Sequence, residues 1–203
     1  MIRLTHAQLL IADISGYTDF IVNRTVALEH AEQIVSELLD AIASSSRHPL
    51  VLNKFEGDAA LLFAESGDDP AAAAHAVVAQ LAAMFAAFAQ RRQQVADARH
   101  GCNCDACTNV LGLRLKAFLH SGQIAIKQLH GFVELAGEHV ILLHRLLKNP
   151  VGEREYVLAT ADFCVHWPPA HAVGRDERVA CEGVGEVDVR VLQPAVLAGN
   201  AVA

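Results

Sequence analysis

The chain has 203 residues, 53% of them hydrophobic, and a formal charge of −7 at neutral pH. That length supports one domain with a full core, and the acidic balance argues against a nucleic-acid groove, which needs a basic footprint. No apolar run reaches the length of a membrane span, because His75 and Gln80 interrupt the Ala-rich stretch, and Met1–His6 is too short and polar for a signal peptide, so a cytoplasmic protein without a membrane partner is expected.

The unbroken run Leu9-Leu10-Ile11-Ala12 predicts a strand buried on both faces and ending in Asp13. Ser15 and Gly16 then let the backbone turn and leave N–H groups free. From Asp19 to Ser46, Ile34, Val35, Leu38, Leu39 and Ile42 recur at helical spacing, and Ser44-Ser45-Ser46 with Pro49 ends that helix. Leu50–Leu52 and Ala59–Ala64 read as two short strands turning at Gly57, which puts Asp58 at a hairpin tip. Asp68-Asp69-Pro70 starts a second helix with Val77, Leu81, Phe85 and Phe88 as its buried stripe, running out into Arg91, Arg92 and Arg99.

After a loop at 100–107, alternation predicts strands at Leu113–Ala117 and Ile124–Lys127, with a turn at Ser121-Gly122 between them. A helix from Gly137 to Leu147, a short strand at Tyr156–Thr160, a loop at Pro168-Pro169 and a last strand at Val187–Val191 complete the pattern. His120 reads as a core or turn histidine, and Cys164, Trp167 and Cys181 as core. The order suits an α+β sandwich, an antiparallel sheet with helices on one face. One domain over 1–194 is expected, with a Cys-rich insert at 100–108 and a frayed tail at 195–203.

Two stretches carry chemistry. A carboxylate at a strand end beside free N–H groups suits a metal-bound phosphate; taken alone, Asp13 also reads as a capping residue on a buried strand. Asp58 alters that balance, because pairing the two strands brings the carboxylates together as a hard-oxygen site for one or two magnesium ions. The loop His100-Gly101-Cys102-Asn103-Cys104-Asp105-Ala106-Cys107 offers four zinc-type ligands, His100, Cys102, Cys104 and Cys107, with Cys164 or Cys181 as alternatives to His100. Reduced loop thiols or a redox pair are the other readings, and five cysteines in a cytosolic chain do not suggest a disulfide framework.

Asp-Ile-Ser-Gly-Tyr-Thr at 13–18, Lys-Phe-Glu-Gly-Asp-Ala at 54–59, Leu119–Gln123 and Glu134–Val140 with Arg145 beyond them together resemble the catalytic domain of class III nucleotidyl cyclases, over about residues 7–192. With its cysteine insert and the segment His144–Asn149, the chain looks like a bacterial subgroup of that family. The resemblance implies a ferredoxin-like βαββαβ fold and conversion of ATP to cyclic AMP and pyrophosphate at a head-to-tail homodimer interface. It implies Mg²⁺ or Mn²⁺ on Asp13, Asp58 and the Ile14 carbonyl, with phosphate on the N–H groups of Ser15, Gly16, Tyr17 and Thr18. It further implies base reading by Lys54 and Glu134, with ATP favoured over GTP, and transition-state stabilisation by Arg145. One position departs: where the family commonly places Asn to orient the ribose, this chain has Ile141, which neither donates nor accepts a hydrogen bond. His144, one turn on, is a candidate substitute. A catalytically degraded relative that binds nucleotide or metal as a dimeric sensing or scaffold module is therefore the second reading, and a zinc-stabilised interaction domain with an unused cleft the third.

Overall fold

The computed structural model describes residues 2–22, 28–169 and 173–199. Strand β1 (Ile2–Ser15) lies inside the sheet, with a strand paired along each edge, because from Ala7 to Ile14 it is largely apolar in both phases of the pleat. Leu10, Ala12 and Ile14 enter one core, and Ala7, Leu9 and Ile11 the other. The expected helix Asp19–Ser46 comes as two, α1 (Tyr17–Val22) and α2 (Leu28–Ser44), with 23–27 outside the described residues. Strands β2 (Val51–Glu56) and β3 (Ala59–Glu65) form the expected hairpin, and Gly57 takes the left-handed φ of 67° that its turn requires. Helix α3 (Pro70–Ala98) begins where Asp69 accepts a hydrogen bond from the Ala72 N–H at 2.9 Å. By length and composition α3 is apolar enough to cross a membrane, yet Ala74, Val77, Leu81, Met84 and Phe88 are core residues here.

The insert is not all loop: it contains α4 (Asp105–Asn109) followed by a short 3₁₀ turn. The expected turn at Ser121-Gly122 is absent. Strand β4 (Arg114–Leu129) runs straight through it, paired along its length with β1. Gly122 is needed there for close approach, since a Cβ at that position would collide with the His139 ring. The chain turns later, at His130 (φ 50°) and Gly131 (φ 85°), into β5 (Phe132–Ala136), a two-residue hairpin with both central residues at positive φ. Then come α5 (Glu138–Arg145), β6 (Val157–Thr160), α6 (Ala161–His166), β7 (Arg175–Cys181) and β8 (Gly185–Leu192). Of the tail expected to fray over 195–203, Ala195–Gly199 forms α7, which packs on α3 and buries Leu197 completely, and 200–203 lie outside the described residues.

The strands make one sheet in the order β2-β3-β1-β4-β6-β8-β7, with β5 pairing the distal half of β4. The α+β class and the βαββαβ order of β1, α2, β2, β3, α3 and β4 are as expected. Two details differ. The β4–β6 pair is parallel, so the sheet is mixed. Helices α2 and α3 cover one face, but α5 packs on the other through Val140, Leu143 and Leu146. Alternation along β1 and β4 places Asp13 and Lys116 on the α5 side, in phase with Ile11 and Phe118.

Candidate functional site

Asp13 lies two residues from the end of β1, directly opposite Lys116 in the β1–β4 register and Ala59 in the β1–β3 register. The Ile14 N–H donates to the Asp58 carbonyl at 3.1 Å, which pins the hairpin tip against the end of β1. Asp13, Ile14, Ser15, Gly16, Tyr17, Thr18 and Asp58 therefore line a single open cavity of about 350 Å³, with Lys116 and Leu147. The structure brings these seven residues of the expected site together.

The electrostatics of the two carboxylates differ. Lys116 Nζ stands 2.9 Å from Asp13 Oδ2. The Asp58 carboxyl is pushed up to about 6, chiefly by burial and then by the negative charge of Asp13; its own backbone hydrogen bond and Lys116 oppose the shift. Among the described residues no cation forms an ion pair with it at contact distance. Two carboxylates thus face one cavity, with the Lys116 ammonium paired to Asp13.

Two cations of this region do not emerge from the sequence. Lys116 alternates with buried residues on a strand and belongs to no motif; only its register with Asp13 reveals it. Arg154 is exposed in a loop, but its guanidinium packs over Gly16, where a Cβ would collide with it. At a φ of 94° Gly16 also has the backbone freedom that the turn demands. Tyr17 is held by a hydrogen bond from its hydroxyl to Glu32 Oε1, 3.2 Å away on α2.

The remaining expected residues form a second group. Lys54 Nζ lies 3.4 Å from Glu134 Oε2 and 3.3 Å from Glu56 Oε1. Arg145 pairs with exposed Glu182 at 3.5 Å and lines a separate shallow depression with Val140, Ile141, His144 and Lys148. Neither Lys54, Glu134 nor Arg145 lines the Asp13–Asp58 cavity. Ile141 is 56% exposed. His144 is already engaged, its Nδ1 at 2.7 Å from the Val140 carbonyl and its Nε2 at 2.8 Å from Glu56. His120 is fully buried between Thr160 and His139, at 2.8 and 2.7 Å.

In the insert, Cys102, Cys104 and Cys107 converge as expected, but His100 does not join them. Its Nδ1 is 2.7 Å from the Asp97 carbonyl at the end of α3. The histidine beside the three sulfurs is His30, in the first turn of α2, and neither Cys164 nor Cys181 belongs to this group. No local spacing could have found His30, which lies 72 residues before Cys102.

A family model described as a protein of unknown function, DUF2652, matches residues 35–156, more than half of the chain. The chain belongs to the DUF2652 family. This DUF2652 protein is also 34% identical to the uncharacterized protein Rv2561/Rv2562 of Mycobacterium tuberculosis over 126 residues, 62% of this chain and 57% of that protein. The chain thus spans under two thirds of that relative's length. Among solved structures, the adenylyl cyclase CyaB from P. aeruginosa superposes with a TM-score of 0.75 at 17% identity, covering 95% of each chain. The guanylyl cyclase Cya2 superposes with a TM-score of 0.74 at 16% identity, covering 94% of this chain and 92% of its own. This DUF2652 chain therefore has the fold of adenylyl and guanylyl cyclases, and one fold carrying both activities does not choose the base.

Proposed function

We propose that this DUF2652 protein is a class III nucleotidyl cyclase-like protein of the cytoplasm. It binds a nucleoside triphosphate, ATP in preference to GTP, and converts it to the cyclic monophosphate and pyrophosphate. The observation that carries the reading is the meeting of Asp13 and Asp58 at one cavity, which Ser15–Thr18 at the β1–α1 junction also line. Hard carboxylate oxygens, that of Asp58 made readier to take a proton by burial and then by the Asp13 charge, are the donor set that Mg²⁺ or Mn²⁺ takes. Asp13, Asp58 and the Ile14 carbonyl would hold the cations, which when bound supply charge neutralisation of the phosphates and acidify the attacking hydroxyl.

The chain's own groups supply the rest. Backbone N–H groups of Ser15 to Thr18 donate to phosphate oxygens, and Lys116 beside Asp13 and Arg154 over Gly16 add positive charge. In the reaction the ribose 3′-oxygen bonds to the α-phosphorus, the bond from that phosphorus to the bridging oxygen breaks, pyrophosphate leaves and the hydroxyl proton passes to solvent. Lys54 donates and Glu134 accepts, the two roles that adenine's ring nitrogen and exocyclic amine require. These two, with Arg145, sit apart from the carboxylates on one protomer, so a complete site needs a second copy arranged head to tail. Exposed Phe55, Phe132, Val133 and Ile141 support that assembly. Phe55 and Val133 are the chain neighbours of Lys54 and Glu134, and Asn53 Nδ2 donates to the Val133 carbonyl at 2.7 Å; Ile141 lies beside Arg145.

Asp58 gives the proposal a pH signature. A carboxyl with a folded value of about 6 and an ordinary value near 3.8 holds its proton more tightly in the fold. Its contribution to stability is complete below the ordinary value and lost as pH rises through about 6. A divalent cation needs the deprotonated form. Mn²⁺ is therefore expected to raise the melting temperature more at about pH 7.5 than at about pH 5. An equal shift at both pH values would contradict metal binding at Asp58.

The second reading, a non-catalytic nucleotide- or metal-binding dimeric module, has two specific supports. Lys116 already neutralises Asp13, and Ile141 offers the ribose no polar atom. Incubation with ATP or GTP and Mn²⁺ separates the two readings. Cyclic product above an Asp13→Ala background favours the enzyme, and none favours the module.

A further inference from the structure

His30 Nδ1 lies 3.6, 3.5 and 3.6 Å from the sulfurs of Cys102, Cys104 and Cys107. One imidazole nitrogen carries a single hydrogen or a single lone pair, so it cannot make three equivalent hydrogen bonds. Three equal contacts to one nitrogen are instead the edges of a tetrahedron with its centre left for an ion. The magnitudes agree: Zn–S of about 2.3 Å and Zn–N of about 2.0–2.1 Å at tetrahedral angles give an N···S edge of about 3.6 Å. All four ligand atoms lie within 4.8 Å of one another, too close to enclose a multinuclear cluster.

We infer that His30, Cys102, Cys104 and Cys107 bind one zinc ion in a closed Cys₃His centre that clamps the first turn of α2 to the insert. Four protein ligands leave no open position, so the ion is structural and separate from the Asp13–Asp58 cavity. The surroundings fit the charge. Three thiolates on Zn²⁺ leave one net negative charge, and Arg99, whose positive charge interacts with Cys107, holds Glu37 and Gln33 of α2 at 3.1 and 3.3 Å. The clamp joins segments distant in the chain, because α4 packs against both α1 and α2. Glu32, which holds Tyr17 of the phosphate loop, lies two residues after His30.

The test is elemental analysis of tag-free protein purified with reduced thiols, paired with cobalt substitution. About one zinc per chain is expected, and the Co²⁺ form is expected to show tetrahedral d–d bands with thiolate charge transfer. His30→Ala is expected to lose the metal and His100→Ala to keep it. If His30→Ala does not fold, His30→Cys keeps a tetrahedral ligand set and is expected to bind Co²⁺ with stronger sulfur charge transfer. Less than about a tenth of an equivalent of zinc in the reduced wild type would overturn the assignment, as would metal loss in His100→Ala or an unchanged cobalt spectrum in His30→Cys.

Discussion

Asp13→Asn and Asp58→Asn are each expected to lower Mn²⁺-dependent cyclic-nucleotide formation by at least about 10³-fold, on the order of 4 kcal/mol of transition-state stabilisation. Asn keeps the size and one oxygen of the side chain but removes the charge that holds a cation. Their effects on the fold should have opposite signs, which separates chemistry from misfolding. Asp58 is a carboxylate that the fold holds at a cost, through burial and the neighbouring Asp13 charge. Asp58→Asn removes that cost, so the metal-free protein should melt higher at neutral pH. Asp13→Asn strips Lys116 of its 2.9 Å partner and should melt lower. Product chromatography and thermal melts on the same preparations read both. Two active variants, or two melts moving the same way, would count against the assigned roles.

Ile141→Asn is expected to raise the rate by about 10²-fold, the scale of one positioned hydrogen bond in a preorganised site. The side chain is 56% exposed on α5, and Ile and Asn differ in helix propensity by only about a few tenths of a kcal/mol, so the fold should tolerate the change. The new amide would stand on the same surface as Arg145 and His144. His144 cannot serve in its present state, because both ring nitrogens are committed to Val140 and Glu56. The gain should appear in kcat, as befits a group that orients the ribose during reaction. A rate that stays level or falls would show that the missing amide is not what limits this protein.

The legible parts of the fold are those where local pattern and tertiary demand agree. The apolar run of β1, the helical spacing of Ile34 to Ile42 and the cap before Pro70 all specify their elements directly. Strand β7 is missing from the sequence reading because Arg175-Asp176-Glu177-Arg178 looks like a solvated surface; at the sheet margin Arg175 pairs with Glu153 and Glu177, Asp176 with Arg190 and Arg178 with Asp188. The turn assigned to Ser121-Gly122 fails for a related reason. Its glycine accommodates the His139 ring and not a reversal, a use that only three-dimensional neighbours disclose.

The site shows the same division. Asp13 and Asp58 stand out because glycines and strand ends mark their positions. Lys116 and His30 do not, since one depends on the register of β1 with β4 and the other on helix α2 passing the insert. A sequence can announce a ligand whose neighbours are adjacent in the chain. It says little of one supplied across a sheet or from a remote helix.

The most direct measurement is calorimetric titration of a nonhydrolysable ATP analogue into wild-type, Asp13→Asn and Asp58→Asn protein, with and without Mn²⁺. It does not depend on whether the protein turns over. Binding that requires Mn²⁺ and disappears in both variants is the expected result. Equal affinity without Mn²⁺, or undiminished binding in either variant, would show that these carboxylates do not hold a metal–nucleotide complex.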